Sequence, residues 1–112
     1  MCKKFLIFIL LSTTNIYALS EYDKIQILLK EVENSNLIFI RNGLEYSSKK
    51  AREHWEFKLR QAGDRIKTAE DFIIYIGTKS SLSGTPYKIK FPDGTILHSE
   101  IWLRQKLLEL AK

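Results

Sequence analysis

The chain has 112 residues and a formal charge of +5, and its 18 Lys and Arg residues are scattered among 13 Asp and Glu residues. This length predicts one domain, and it allows one small hydrophobic core without disulfide bonds. The scattered charges argue against the concentrated basic surface of a nucleic-acid-binding protein, so we expect no nucleic-acid partner.

The start of the chain has the pattern of a secretory signal peptide. Lys3 and Lys4 precede an apolar run, Phe5–Leu11, and a small residue, Ala18, follows at a suitable distance. The run is too short to span a membrane, which takes roughly 20 apolar residues. We therefore expect a signal peptide over residues 1–18. Its cleavage near Ala18 would give a periplasmic or secreted product without a stable membrane span.

The mature domain, residues 19–112, offers few groups for thiol or metal chemistry. The single cysteine, Cys2, lies in the predicted signal peptide, so neither a disulfide nor a thiol nucleophile would remain. The two histidines, His54 and His98, are far apart in sequence, whereas a zinc site needs three or four converging ligands. We expect no metal and no cofactor.

The first predicted helix begins after Ser20, whose hydroxyl can cap it, and continues to about Asn34. Its apolar residues recur at helical spacing, which predicts that they face the core. They are Tyr22, Ile25, Leu28, Leu29 and Val32.

A β-hairpin is predicted next. Leu37–Arg41 is short and rich in β-branched residues, and Asn42-Gly43 after it tolerates the positive φ angles of a type I′ turn. Leu44–Tyr46 is the return strand. In this register the opposing pairs are Arg41 with Leu44 and Phe39 with Tyr46.

Two further helices follow. Ser47 or Ser48 can cap the second, which ends at Gly63; its predicted core face is Ala51, Trp55, Leu59 and Ala62. The third begins at Thr68 with a capping-box pattern, and its apolar body predicts a strongly buried helix. That body is Phe72, Ile73, Tyr75 and Ile76.

The rest of the chain predicts a hydroxyl-rich loop, a second hairpin and a last helix. The loop is Gly77–Pro86; the strands are Tyr87–Phe91, which alternates apolar and basic residues, and Thr95–His98, joined by Pro92-Asp93-Gly94. The helix starts at Ser99, with Trp102, Leu103, Leu107 and Leu110 inward. The predicted fold is therefore α+β, a single small domain of about four helices with one or two short antiparallel hairpins.

Several residue types suggest chemistry, each with a structural alternative. Arg41 beside the tight turn could hold a carboxylate or phosphate, or it could pair with an acid such as Glu45. A small hydrolase would take its nucleophile from the loop serines, its base from the histidines and its acid from Glu45 or Asp71. Ser and Thr in such loops usually bond to the backbone or to water. Trp55, Tyr87 and Trp102 are favoured as core over stacking platforms.

An ordered set of residues resembles a known family. The set is Phe39-Ile40-Arg41-Asn42-Gly43, Tyr46, Ala51, His54, Lys58, Phe72-Ile73, Ser80-Ser81-Leu82-Ser83-Gly84 and Pro86-Tyr87. It is similar to the pattern of an uncharacterised bacterial family of small exported proteins that includes YfeK. The resemblance implies export and a single domain of unknown function, and it supplies no mechanism.

The resemblance also implies that polar residues which the fold does not need share a cleft. These ligand-binding candidates are Arg41, Asn42, His54, Lys58, Ser80, Ser81, Ser83 and Tyr87. We expect an envelope accessory or binding module for an acidic or hydroxyl-rich ligand, such as an envelope protein, a peptide or a cell-wall fragment. The alternatives are the Ser/His hydrolase and a purely structural protein, in which the same residues form an internal hydrogen-bonded network.

Overall fold

The computed structural model describes residues 19–111, so the predicted signal peptide lies outside the described residues. The helices are α1 (Glu21–Asn34), α2 (Ser48–Ala62), α3 (Ala69–Tyr75) and α4 (Ser99–Leu110), and a short 3-10 turn, Gly63–Arg65, follows α2. The strands are β1 (Ile38–Arg41), β2 (Leu44–Tyr46), β3 (Lys88–Lys90) and β4 (Ile96–His98). The α+β prediction is confirmed. Within the described part of the chain, no helix has the length and apolar character needed to cross a bilayer.

The predicted caps start three of the helices. Ser20 accepts a hydrogen bond from the amide of Asp23 at 3.0 Å, and Ser47 accepts one from Lys50 at 3.2 Å. Thr68 and Asp71 form the reciprocal capping box that opens α3. Each cap satisfies an amide that the first helical turn leaves without a partner, so local sequence alone sets these three starts.

The two hairpins join into one four-stranded antiparallel sheet in the order β2-β1-β3-β4. The predicted register of the first hairpin is confirmed, with Phe39 opposite Tyr46 and Arg41 opposite Leu44. Its turn has positive φ at both Asn42 (52°) and Gly43 (79°), as a type I′ turn requires. The pairing of β1 with β3, in which Phe39 lies opposite Ile89, was not predicted.

One face of the sheet packs against the helices. Side chains alternate along a strand, so Phe39, Arg41 and Ile89 share this inner face. The ring of Phe39 meets those of Trp55 and Trp102 edge to face, with centroid distances of 5.7 and 6.2 Å. The core assignment of Trp55, Tyr87 and Trp102 is confirmed, because each side chain is buried.

Two predicted core residues are exposed. Tyr22 is 69% exposed because it lies in the first turn of α1, one turn before the first buried residue, Ile25. Tyr75 is 63% exposed at the end of α3, where Phe72 and Ile73 face the core instead. Periodicity gave the correct helices here, but it does not indicate where neighbouring elements stop covering a helix.

Candidate functional site

Arg41 lies at the end of β1 on the inner face of the sheet and is half-buried. Its Nη1 atom is 3.0 Å from Nε2 and 3.1 Å from Nδ1 of His54, on α2. Its Nη2 atom donates a 3.0 Å hydrogen bond to the hydroxyl of Tyr46, and the guanidinium carbon is 4.7 Å from that ring's centroid. The side chain therefore bridges the first hairpin and α2.

Lys58 lies one turn after His54 on α2. Its ammonium donates to the carbonyl oxygens of Ile76 at 2.9 Å and Lys79 at 3.2 Å, and to the hydroxyl of Tyr87 at 3.0 Å. An ammonium has three N–H donors, so all three are committed within the protein. Burial, and then the charge of Arg41, lower the pKa of Lys58 to about 8.

His54 lies between these two cations. Its Nε2 atom is 3.3 Å from the hydroxyl of Tyr87, whose oxygen already accepts from Lys58, so the phenol hydrogen can be donated to the imidazole. Partial burial, followed by the charges of Arg41 and Lys58, lowers the pKa of His54 to about 4. Burial raises the pKa of Tyr87. At neutral pH the cluster therefore holds a neutral imidazole, a neutral phenol and two cations.

A cavity of about 350 Å³, which we call the Arg41 cavity, opens to solvent beside this cluster. Its lining is mostly apolar, and its charged residues are Arg41, Lys50 and Glu53, with His54 beside Arg41. The aromatic part of the wall is Phe39, Tyr46, Trp55, Phe57 and Tyr87. A concave apolar site with a few convergent polar groups is typical of a ligand pocket.

Asn42 and two of the loop serines form a separate cluster. The hydroxyl of Ser83 donates to Oδ1 of Asn42 at 2.5 Å, and Nδ2 of Asn42 donates to Ser80 at 3.5 Å. Ser80 is buried, whereas Ser81 is exposed and lines a second cavity. The Asn42 cluster thus holds the tip of the first hairpin to the hydroxyl-rich loop.

Comparison with known proteins places the chain among proteins without an assigned activity. Residues 20–111 match the model of a family described as "Family of unknown function (DUF5329)". The chain belongs to this family. It is also similar to the uncharacterized protein YfeK of Salmonella typhimurium, at 38% identity over 55 residues. This match covers 49% of the chain and 46% of the relative, so it spans less than half of that protein. No solved structure matches the chain.

In this family member the candidate residues are brought together in two groups. Arg41, His54, Lys58 and Tyr87 form one continuous cluster, and Asn42, Ser80 and Ser83 form the other. Ser81 belongs to neither group.

Arg41 does not form the alternative ion pair. Glu45 pairs with Lys90 at 2.5 Å, on the outer face of the sheet. Among the described residues, no carboxylate lies within 4.0 Å of the guanidinium of Arg41 or the ammonium of Lys58. Glu53 also lines the Arg41 cavity, and its carboxylate lies 3.9 Å from the ammonium of Lys50. Within the described part of the chain, Arg41 and Lys58 therefore form no ion pair of their own.

The groups of the hydrolase alternative are not joined. The hydrogen bonds of the His54 ring go to Arg41 and Tyr87, and Asp71 caps α3. His98 lies exposed at the start of α4, on the edge strand β4. Over residues 19–111, no three His, Cys, Asp or Glu side chains are grouped as metal ligands would be.

Sequence reasoning missed two members of the site. Tyr46 contacts Arg41, and its position opposite Phe39 in the predicted register already placed it on the same face of the sheet as Arg41. Phe57 lines the cavity from α2 while 52% exposed. An apolar residue on a polar helix face was the available signal for Phe57.

Proposed function

We propose that the protein is a non-catalytic binding module of the cell envelope, and that it recognises an anionic ligand in the Arg41 cavity. One observation carries this proposal: Arg41 lines an open, mostly apolar cavity and has no carboxylate partner among the described residues. Removing a charge from water is costly unless it is paired. A half-buried guanidinium without a directly paired carboxylate therefore favours a ligand that supplies the negative charge.

The guanidinium keeps hydrogen-bonding capacity for such a ligand. A guanidinium has five N–H donors in a planar fork. The contacts with His54 and Tyr46 involve Nη1 and Nη2, and these atoms carry two hydrogens each. Donors therefore remain for a carboxylate or phosphate oxygen, and charge-assisted bonds of this type are the stronger ones.

The walls of the cavity favour an apolar group next to the ligand's negative charge. Trp55, Tyr46 and Phe57 line the cavity, and contact with such rings favours apolar or aromatic groups. The hydroxyls of Ser80 and Ser83 bond to Asn42. These contacts support an acidic ligand over a hydroxyl-rich one.

The proposed envelope location rests on the sequence. Lys3, Lys4 and the apolar run Phe5–Leu11 have the pattern of an export signal. In that compartment, the anionic ligands that could bind in the Arg41 cavity are an acidic segment of an envelope protein, a peptide or an acidic cell-wall fragment.

The test uses a small acid and its neutral counterpart. Phenylpropionate and phenylpropanol share the aromatic group and differ in the carboxylate. We expect phenylpropionate, and not phenylpropanol, to shift the NMR signals of His54 and Tyr46 in a saturable way. Arg41→Gln should abolish the shifts. Arg60→Gln, which removes an exposed cation of α2, should leave them unchanged.

Two results would overturn the proposal. If the two probes give equal shifts, or if Arg41→Gln leaves the phenylpropionate shifts intact, then Arg41 does not recognise an anion. Covalent labelling by a fluorophosphonate that is lost in Ser81→Ala would establish the hydrolase alternative and contradict a non-catalytic role.

A further inference from the structure

A second cavity, which we call the Tyr75 cavity, adjoins the Arg41 cavity. It has a volume of about 700 Å³ and opens to solvent on the other side of Phe57, which lines both cavities. Tyr87 lines the Arg41 cavity and Lys58 lines the Tyr75 cavity, and these two residues share a 3.0 Å hydrogen bond. Phe57 and this pair of side chains therefore connect the walls of the two cavities.

The Tyr75 cavity is apolar with a basic rim. Its apolar lining residues are Phe57, Ala62, Ile66, Tyr75 and Ile76. Two of these are large aromatic residues that remain 52% and 63% exposed, Phe57 and Tyr75 respectively. The charged residues that line the cavity are Lys58 and Arg65, and its lining contains no acidic residue. Binding hot spots in protein interfaces are enriched in aromatic residues and arginine, and this cavity contains both.

We infer that the two cavities form one groove for an extended peptide segment that carries an acidic residue and a bulky apolar residue about three positions apart. The acidic residue binds Arg41, and the apolar residue enters the Tyr75 cavity after the chain has crossed Phe57. This inference rests on the proposed function and adds the class of ligand and a second anchor.

The spacing follows from the geometry of α2. His54 lines the Arg41 cavity and Gln61 lines the Tyr75 cavity. These residues are seven positions apart, which corresponds to about 10 Å at a rise of 1.5 Å per helical residue. An extended peptide advances about 3.3 Å per residue. Three residues of extended peptide therefore cover about the distance between these two positions on α2, and we take this as the spacing of the two anchors.

The chemistry of the groove favours a peptide over an amphiphile such as a fatty acid. Gln61 and Ser81 line the Tyr75 cavity beside its apolar residues, and they can pair with the amide groups of a peptide backbone. An acyl chain offers these polar groups no hydrogen bond. Both cavities are open to solvent, so an acyl chain would also stay partly in contact with water. Lys58 and Arg65 of the Tyr75 cavity add positive charge to the groove, which favours a peptide of net negative charge.

The test is a spacing series of fluorescein-labelled octapeptides with amidated C-termini. Each contains one Glu and one Leu in an Ala/Ser background, one to five positions apart, in both orders. Binding is measured by fluorescence anisotropy against a reference peptide that has Glu and no Leu. We expect the tightest binding at a spacing of about three, at least tenfold tighter than the reference. Tyr75→Ala should remove this gain and leave phenylpropionate binding unchanged.

The control is Tyr22→Ala, which removes a similarly exposed tyrosine from α1 and should retain the gain. If phenylpropionate binds through Arg41 but no spacing exceeds the reference peptide, the inference fails and the proposed function stands. If neither probe binds, both fail. If dodecanoate binds more tightly than every peptide and Tyr75→Ala weakens it, the groove takes an amphiphile and the peptide inference is wrong.

Discussion

The ammonium of Lys58 donates a 3.0 Å hydrogen bond to the phenol oxygen of Tyr87. Its other two bonds, to the carbonyls of Ile76 and Lys79, satisfy groups at and after the end of α3, where a cation is favoured by the helix dipole. Because all three donors are used, Lys58 would act on the proposed anion only through its charge and through Tyr87. It also ties α2 to the loop after α3.

We predict that Lys58→Met lowers the free energy of unfolding by about 1–3 kcal/mol, because it leaves the carbonyl group of buried Ile76 without its donor. Urea denaturation followed by tryptophan fluorescence measures the change. The matched control is Arg60→Met on the exposed side of α2, for which we expect a change within about 0.5 kcal/mol. Equal effects of the two variants would mean that Lys58 does not hold the loop.

The second prediction concerns the acid sensitivity of His54. Its folded-state pKa of about 4 lies below the ordinary value of 6.5. Between these two values the unfolded chain binds more protons than the folded one, so stability falls as the pH is lowered through this range. We expect His54→Gln to remove part of this loss. Its melting temperature should therefore fall less than that of the wild type between pH 7 and pH 4.5.

His98→Gln is the control for this comparison. His98 is exposed, so its variant should follow the wild-type pH dependence in differential scanning calorimetry. If the melting temperature of His54→Gln falls with pH as steeply as that of the wild type, the environment of His54 does not hold the imidazole neutral. The sensitivity would then belong to other groups.

Local sequence was sufficient to predict most elements and the first hairpin. Ser20, Ser47 and Thr68 satisfy helix-start amides within three residues of themselves. Asn42-Gly43 fits a turn that needs positive φ at both positions. Features of this type depend on neighbours in the chain, so they can be read without knowledge of the fold.

The pairing of the two hairpins into one sheet could not be predicted from local sequence. Pairing Phe39 with Ile89 joins residues 50 positions apart in the numbering, and many strand arrangements satisfy the same alternating pattern. Once the first hairpin is assumed, however, the register shows which residues lie on the same face of the sheet as Arg41. Arg41 lies opposite Leu44, so Glu45 points to the other face of the sheet and cannot pair with it.

The candidate site was therefore predicted as a set of residues but not as a geometry. The sequence resemblance selected Arg41, His54, Lys58 and Tyr87, and these four side chains are in contact. It gave no indication that Asn42 and the serines form a separate cluster, because that depends on where the loop crosses the hairpin. Cavity walls such as Phe57 arise from packing between distant segments.

The third prediction isolates the contact between Asn42 and the loop. Asn42→Gly keeps the positive φ of 52° accessible and removes only the side chain that bonds to Ser80 and Ser83. We expect faster hydrogen exchange at the amides of Ser83, Gly84 and Thr85, with a change in the free energy of unfolding of about 1 kcal/mol or less. Unchanged exchange at these amides would show that the loop is ordered without Asn42.

The last prediction concerns Phe39, which is 4% exposed and joins the sheet to two helices through its contacts with Trp55 and Trp102. Phe39→Ala should lower the free energy of unfolding by about 3–5 kcal/mol, through lost burial and the cavity that remains. Ile38→Ala, on the outer face of the same strand, should cost clearly less because Ile38 is only half-buried.

Because Phe39 also lines the Arg41 cavity, Phe39→Leu should weaken phenylpropionate binding while retaining most of the stability. If Phe39→Leu lowers stability as much as Phe39→Ala but leaves binding intact, Phe39 belongs to the core alone.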